Sequence, residues 1–280
     1  MAERIPHPSG LTPLYDAHRV DAAYHLRYSW TGWPSGGPFA NTPTELLPAV
    51  APLWKEDCLR LLEFRWTREF VQLLFSTTPA MSPEHLAQRA KGRLTFALRK
   101  AGLEMLFSRK LAVRSLGDNT REEVEQYIER QVGKERFANA RFAGQMQRFT
   151  VVNPKVDLSQ PSESARGRYW FNLHVVLVVE DRFRVADLDV LARIRDSALK
   201  IAGKKGHWVS RLSVMPDHLH LAVRGQPTES PADVVSAYQN NLAYALGQKR
   251  LWRESFYVGT FSEYTMDAVR RLTDRRVTPP

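Results

Sequence analysis

The sequence predicts two tandem domains of the α+β or α/β class. Short strand-like runs alternate with amphipathic helical patterns in each half of the chain. A gapless internal repeat relates the two halves, which is typical of a duplicated domain. The 280 residues, 43% of them hydrophobic and 25% charged, are enough for two globular domains that each bury a core.

The individual elements follow from periodicity and turn residues. Runs rich in β-branched and aromatic residues predict strands, apolar residues at helical spacing predict helices, and clusters of Pro, Gly and small polar residues predict loops. The predicted strands are 59–66, 70–75, 169–179, 208–214 and 218–223. The predicted helices are 83–101, 120–133, 186–203 and 231–246, with loops at 1–20 and 31–43. A breaker-rich linker at 151–168 then separates domain 1–150 from domain 169–280.

The repeat is visible when residues 69–98 are set against residues 217–246 without a gap. A P-x-x-S-P motif then precedes a predicted helix in both halves, at 79–83 and 227–231. A second block sets residues 107–131 against 252–276, again without a gap. Identity between the blocks is low, so a chance similarity of local structures is the alternative. The repeat-specific spacing favours duplication.

Composition indicates the kind of partner. The net charge of +10 and a pI near 9.9 favour a polyanion, although a basic solvated surface without a partner is the alternative. Nucleic acid is favoured over anionic membrane because the arginines are spread over several segments. Cys58 is the only cysteine, which excludes an internal disulfide and a cysteine-based zinc site. No signal peptide or long apolar run is visible, so we expect a cytoplasmic, nucleoid-associated protein.

A histidine pair stands out in MPDHLHLAV (215–223). On a strand, His218 and His220 project from the same face while the intervening leucines point into the core. Two neutral imidazoles side by side are half of a divalent-metal site. The alternative is a half-exposed strand whose polar face carries two histidines by chance.

This motif resembles the M-P-D-H-hydrophobic-H motif of IS200/IS605-type transposases and their REP-associated relatives, which are HUH single-strand DNA transposases with one tyrosine nucleophile. The resemblance extends to FNLHVVLVVEDRF (171–183), similar to the family's first strand, and to LWRESFYVGTFSEYTMDAVRR (251–271), similar to its aromatic-glycine segment. It implies two tandem ferredoxin-like (RRM-like) HUH domains that form a pseudo-dimer, with antiparallel sheets and helices on one face.

The resemblance also implies a tyrosine on the final helix, four residues before a glutamine that completes the metal site. In the second half these positions are Leu272 and Arg276. Leucine has no nucleophilic oxygen and arginine does not ligate a cation. The second half alone is therefore incomplete.

The first half shows the reverse pattern. Its final helix, TREEVEQYIERQ (120–131), begins with a capping-box spacing and has Tyr127 and Gln131 four residues apart. The positions aligned with the histidine pair are Phe70 and Gln72. A core aromatic and a surface amide are the alternative interpretation of Tyr127 and Gln131. The complementary losses favour a shared site.

The resemblance to insertion-sequence members of the family implies the arrangement of a homodimer in which the tyrosine helix of one subunit enters the active site of the other. We therefore expect one composite site in which His218, His220 and Gln131 bind Mg²⁺ or Mn²⁺ and Tyr127 is the nucleophile. The resemblance implies attack on single-stranded, hairpin-bearing DNA, a 5′-phosphotyrosine intermediate and rejoining without ATP. The expected assembly is a monomeric pseudo-dimer, with further dimerisation as an open alternative.

Tyr238 and Tyr264 are rival nucleophiles, the first predicted to pack in the core and the second to be exposed in a turn. Basic clusters and aromatics predict contacts with DNA phosphates and bases. These residues are Arg89, Lys91, Arg93, Arg99, Lys100, Arg270, Arg271, Trp252 and Tyr257. Two other functions stay open: a domesticated transposase that binds a DNA or RNA hairpin without cutting it, and an unrelated metal-dependent phosphoesterase. The phosphoesterase would leave the spacing of Tyr127 and Gln131 unexplained.

Overall fold

The computed structural model describes residues 13–16, 21–137, 139–165 and 167–266, which form two six-stranded sheets with helices packed on them. In this part of the chain the strands are β1 (Asp21–His25), β2 (Arg27–Pro34), β3 (Leu59–Trp66), β4 (Val71–Thr77), β5 (Phe107–Leu116), β6 (Thr150–Val152), β7 (Ser162–Glu163), β8 (Gly167–Trp170), β9 (Asn172–Val179), β10 (Trp208–Val214), β11 (His218–Arg224) and β12 (Trp252–Thr260). The α-helices are α1 (Leu47–Glu56), α2 (Pro83–Lys100), α3 (Arg121–Glu129), α4 (Gln131–Lys134), α5 (Ala140–Met146), α6 (Leu188–Lys205) and α7 (Pro231–Leu246). The predicted α+β class is confirmed. None of these helices has the length and apolar character needed to cross a bilayer.

The two sheets have the same internal order. The first sheet runs β3-β4-β2-β5-β8-β7 and the second runs β10-β11-β9-β12-β1, with β6 added beside β10. All pairings are antiparallel except β5 with β8 and β1 with β12. Each parallel pair adds to one sheet a strand that leads directly into the other sheet. The two halves thus exchange strands β1 and β8, as the predicted pseudo-dimer permits.

The exchange corrects one predicted strand. Residues 169–179 are not one strand, because β8 belongs to the first sheet and β9 to the second. The chain changes sheets at the buried Phe171, whose ring contacts the ring of Tyr28 at 6.3 Å between centroids. Leu26, also buried, marks the equivalent passage from β1 to β2. The predicted loop at 31–43 is also shorter, because β2 continues to Pro34.

The repeat is evident in how the two long equivalent helices begin. α2 and α7 start at Pro83 and Pro231, where proline's missing N–H and fixed φ are tolerated. The side chains of Ser82 and Ser230 cap them by accepting hydrogen bonds from backbone N–H groups in the first turn. The P-x-x-S-P motif is therefore a shared helix start.

Reciprocal backbone hydrogen bonds join the halves just after β5 and β12. The N–H of Arg121 donates to the carbonyl of Ser262 (2.7 Å), and the N–H of Met266 donates to the carbonyl of Gly117 (3.1 Å). The two donors are repeat-equivalent, as are the two acceptors. A Cβ at Gly117 would lie 2.2 Å from the carbonyl oxygen of Thr260, so this close crossing requires glycine.

The predicted linker is packed between the halves. Leu158 is fully buried, and its carbonyl accepts hydrogen bonds from the side chains of Asn172 (2.9 Å) and Arg224 (2.6 Å). β6 and β7 at its ends join different sheets. The division into domains 1–150 and 169–280 stays a prediction, since each sheet uses strands from both sides of that boundary.

Candidate active site

The histidine strand β11 lies inside the second sheet, between β9 and β10. Leu219 and Leu221 are fully buried in the core, while His218 and His220 lie on the opposite face of the strand. Their ring centroids are 4.9 Å apart and the rings are nearly perpendicular. The strand geometry thus places the two imidazoles side by side.

The tyrosine helix α3 follows β5 of the first sheet but packs against β10 and β11 of the second. Val124 and Ile128 bury its apolar face in one cluster with Ala222 of β11. Arg211 of β10 forms ion pairs with two carboxylates of α3, Glu125 and Glu129. Apolar burial and charge pairing therefore hold a helix of the first half on the sheet of the second.

This crossing brings Tyr127 to the histidines. Its ring centroid lies 5.6 Å from that of His220, with the two rings nearly perpendicular. The Tyr127 side chain is 42% exposed, so it is open to a large substrate. Residues 93 positions apart in the chain meet at one site inside a single polypeptide.

Gln131 lies beside Tyr127 as predicted, but the two residues are on separate helices and not on one continuous helix. The helix expected over 120–133 ends at Glu129, because Arg130 leaves the α-helical conformation (φ −90°, ψ 4°). Gln131 starts the short helix α4 and is buried, with 6% exposure. Its side-chain amide donates to the Tyr127 carbonyl (2.7 Å), which leaves the amide oxygen as the end that could bind a cation.

His174 lies beside the histidine pair, although no sequence motif predicted it there. It lies on β9, and its Nε2 is 3.1 Å from Nδ1 of His220, with the two rings stacked 5.3 Å apart. The rings of Tyr127 and Tyr257 approach it edge-on at 5.8 and 5.7 Å. Its signal was an imidazole within the apolar run NLHVVLVV, but only the pairing of β9 with β11 shows what it contacts.

The Nδ1 atoms of the histidine pair are both engaged. That of His218 lies 2.6 Å from a carboxylate oxygen of Asp217, and that of His220 contacts His174. Within the described part of the chain, neither Nε2 atom has a hydrogen-bond partner. A metal-binding histidine commonly holds its second nitrogen in this way, which fixes the tautomer that offers a lone pair.

The donor set fits a divalent cation of the Mg²⁺ or Mn²⁺ type when the amide oxygen of Gln131 serves as the third ligand. Across the described ranges, no three His, Cys, Asp or Glu side chains are placed to hold a metal ion. Two imidazoles and the amide oxygen of Gln131 would give three ligands and leave positions for phosphate and water.

Burial favours the neutral forms of the His174 and His220 imidazoles. Desolvation lowers the pKa of His174 to about 4. Desolvation, followed by the charges of neighbouring histidines and Lys134, lowers the pKa of His220 well below its usual value. Near neutral pH both rings are therefore in the form that binds metals and accepts hydrogen bonds. Lys134 also lies 3.8 Å from the centroid of the Tyr127 ring. Its position seven residues after Tyr127, about two helical turns, was the available sequence signal.

The rival tyrosines lie in different surroundings. Tyr238 is fully buried and its hydroxyl lies 3.3 Å from Nδ1 of His207, as expected for a packing residue. Tyr264 is 53% exposed in the turn after β12, next to the guanidinium of Arg114.

The basic face predicted on α2 is partly occupied. Arg93 and Arg89 lie 2.7 and 3.6 Å from the carboxylate of Asp57, and Lys91 donates to the carbonyl of Ser108. Because these charges have partners, they are poor candidates for phosphate contacts. The exposed Arg99 and Lys100 at the helix end keep that prediction open.

The other predicted DNA contacts divide three ways. Trp252 is 1% exposed, so its ring has no face for a base, and this prediction is corrected. Tyr257 is 37% exposed and keeps an accessible edge. Arg270 and Arg271, like Leu272 and Arg276, lie outside the described residues.

Comparison with known proteins gives the family. The model of the family "Transposase IS200 like" matches residues 41–131 and 168–273, one segment in each half. The ISDra2 transposase TnpA of Deinococcus radiodurans is 28% identical over 128 residues, which cover 41% of this chain and 91% of that protein.

Two solved structures are also similar to part of the chain. A transposase structure from Deinococcus radiodurans R1 has 24% identity over 39% of this chain and 92% of its own, with a TM-score of 0.31. A REP-associated tyrosine transposase bound to a REP hairpin has 13% identity over 37% of this chain and 62% of its own, with a TM-score of 0.30. Because the family model spans most of the chain and recurs in both halves, the chain belongs to the IS200-like transposase family.

Proposed function

We propose that this protein is a metal-dependent endonuclease and strand transferase that nicks and rejoins single-stranded, hairpin-bearing DNA through one composite site. The observation that carries the proposal is the contact between Tyr127 of the first half and His220 of the second. The complementary replacements in the two halves support it, since each half lacks what the other supplies.

Three side chains would hold the cation: His218 and His220 through Nε2, and Gln131 through its amide oxygen. When bound, Mg²⁺ or Mn²⁺ supplies charge stabilisation at the scissile phosphate. Asp217 and His174 would fix the two imidazoles by accepting hydrogen bonds from their Nδ1–H groups. His174 is thus a positioning residue, and its role goes beyond the three ligands.

Tyr127 would act as the nucleophile. Its hydroxyl oxygen forms a bond to phosphorus and releases its proton, the bond from phosphorus to the 3′ oxygen breaks, and that oxygen takes up a proton. The products are a 5′-phosphotyrosine and a free 3′-OH, and the reverse reaction with another 3′-OH rejoins the strand. The ammonium of Lys134 beside the ring favours the charge that develops on the phenolic oxygen.

The test is incubation of a 5′- or 3′-labelled single-stranded hairpin with the protein and Mg²⁺ or Mn²⁺, followed by denaturing electrophoresis. A protein adduct should carry the 5′-phosphate side of the nick in the wild type and should be absent from Tyr127→Phe. The matched control is Tyr264→Phe, which removes the same atom from the exposed rival and should leave the adduct unchanged. Adduct formation that survives in Tyr127→Phe would overturn the assignment. Binding without any adduct in the wild type would favour the hairpin-binding alternative.

A further inference from the structure

The first sheet carries the repeat counterpart of the candidate active site. Gln72 stands at the position of His220, and Ser29 at that of His174. The Gln72 amide donates to the Ser29 hydroxyl (2.9 Å), so a hydrogen bond joins these two strand positions in both halves. The side chains at these positions differ between the halves, while the strand pairing is shared.

A second exchange lies on the neighbouring strand. His174 faces Gly259 of β12, whereas Ser29 faces Arg114 of β5. A Cβ at Gly259 would lie 2.4 Å from the hydroxyl oxygen of Tyr257, so a side chain there would have to displace the tyrosine. The counterpart of Tyr257 in the first sheet is Ala112, which leaves room for the Arg114 side chain. At this strand position the first sheet carries a cationic side chain, whereas the second sheet carries a glycine.

The surroundings of Arg114 differ from those of a structural ion pair. Its guanidinium lies 3.8 Å from the ring centroid of Trp170, whose indole N–H is held by the carbonyl of Ser159. The Tyr264 ring lies 5.6 Å away and is more than half exposed. In the described parts of the chain no carboxylate forms an ion pair with Arg114, because Glu263, whose charge acts on it, is bound to Arg121.

Partial burial of the charged Arg114 guanidinium is energetically unfavourable. Partial burial lowers the pKa of Arg114, although the group stays cationic at every physiological pH. A partly desolvated guanidinium without a carboxylate attracts an anion more strongly than a solvated one. An exposed aromatic ring beside it offers a face for a planar group. Phosphate and base occur together in single-stranded nucleic acid.

We propose that Arg114, Trp170 and Tyr264 form a non-catalytic binding site for single-stranded DNA. Arg114 contacts a backbone phosphate, Trp170 orients the guanidinium by stacking, and Tyr264 stacks on a base. The proposal rests on the proposed function only in treating these positions of the first sheet as the counterpart of an active site. Binding of DNA by Arg114 and Tyr264 requires no cleavage. The duplicated half would then hold the strand on which the other half acts.

The experiment measures the affinity of a labelled, unstructured single-stranded oligonucleotide by fluorescence anisotropy between 50 and 200 mM salt. All variants carry Tyr127→Phe, so cleavage does not interfere. Arg114→Gln should weaken binding and reduce the slope of log K against log salt by about 0.7, the value for one phosphate contact with a single strand. Tyr264→Ala should weaken binding roughly tenfold with no change in that slope.

The matched control is Arg60→Gln, which removes an exposed arginine from β3 at the edge of the same sheet and should change neither quantity. If Arg114 has only a structural role, Arg114→Gln should lower the melting temperature and leave both the DNA affinity and its salt slope unchanged. That result overturns the proposal. If Arg114→Gln does not fold, unchanged affinity in Tyr264→Ala overturns it. Adduct formation is assayed separately with Tyr127 intact. There, Arg114→Gln should raise the DNA concentration needed for half-maximal rate and leave the saturated rate unchanged.

Discussion

The hydrogen bond between His174 and His220 leads to the sharpest prediction. Metal binding through Nε2 of His220 requires its Nδ1 to carry the proton. That N–H group then donates a hydrogen bond to Nε2 of His174, and the two nitrogens are 3.1 Å apart. His174→Ala removes the acceptor and leaves that donor without its partner inside a ring that is 5% exposed. An unpaired buried donor costs about 1–3 kcal/mol. The lost partner of a metal-binding histidine weakens metal affinity roughly 10- to 100-fold.

The energetic cost of the unpaired donor and the expected loss of metal affinity agree, since a tenfold change in affinity corresponds to about 1.4 kcal/mol. The assay is calorimetric titration of the protein with Mn²⁺ alone, which reports affinity independently of DNA cleavage. The chain supplies its own matched control. Ser29→Ala breaks the equivalent hydrogen bond in the first sheet and should leave Mn²⁺ affinity unchanged. Affinity within twofold of the wild type in His174→Ala would refute a positioning role, as would an equal loss in Ser29→Ala.

Three further outcomes are expected. If the site forms within one chain, a mixture of Tyr127→Phe and His218→Ala should form no DNA adduct, whereas restored adduct would indicate assembly between chains. Gly259→Ala should displace the Tyr257 ring, lower the free energy of unfolding by about 1 kcal/mol and slow adduct formation. Adding Tyr257→Phe should recover that stability in urea denaturation, and no recovery would contradict the clash. Asp57, whose pKa is lowered chiefly by a hydrogen bond from an arginine of α2, stabilises the fold above its ordinary pKa of 3.8. The difference in unfolding free energy between Asp57→Asn and wild type should therefore begin to shrink as the pH falls below 3.8 and vanish below the lowered pKa of the folded state, and a constant difference would exclude the linkage.

Much of the fold could be predicted because its signals are local. α7 has the predicted bounds, since Ser230 caps it, Pro231 begins it and Gly247 ends it in a left-handed conformation. β10 and β11 also match, because their apolar alternation is strong. The exchange of β1 and β8 was missed. Alternation continues through Leu26 and Phe171, so periodicity carries no mark of a change of sheet.

The candidate site shows the same limit. The proximity of Tyr127 to His220 was inferred from complementary losses, although no pattern within either half contains it. His174 was missed because its partner lies on another strand. The prediction that Trp252 contacts DNA was wrong because an aromatic residue beside arginines is equally consistent with a core position. Its ring is buried. Long-range pairing decides each of these cases, and a single sequence does not display it.

The asymmetry between the halves extends beyond the ligands into the packing around them. The second half keeps Gly259 because Tyr257 fills the space beside His174. In the first half neither the tyrosine nor the imidazole is present, and the equivalent backbone position carries Arg114. A guanidinium there repels a divalent cation, so a second metal site is opposed by charge as well as by missing ligands. Under the proposed function a duplicated chain needs only one tyrosine helix to cross between its sheets, which leaves the counterpart position in the first sheet free to carry a basic side chain. The missing ligands of the first half and the proposed DNA contact of Arg114 would then both follow from that relaxed constraint.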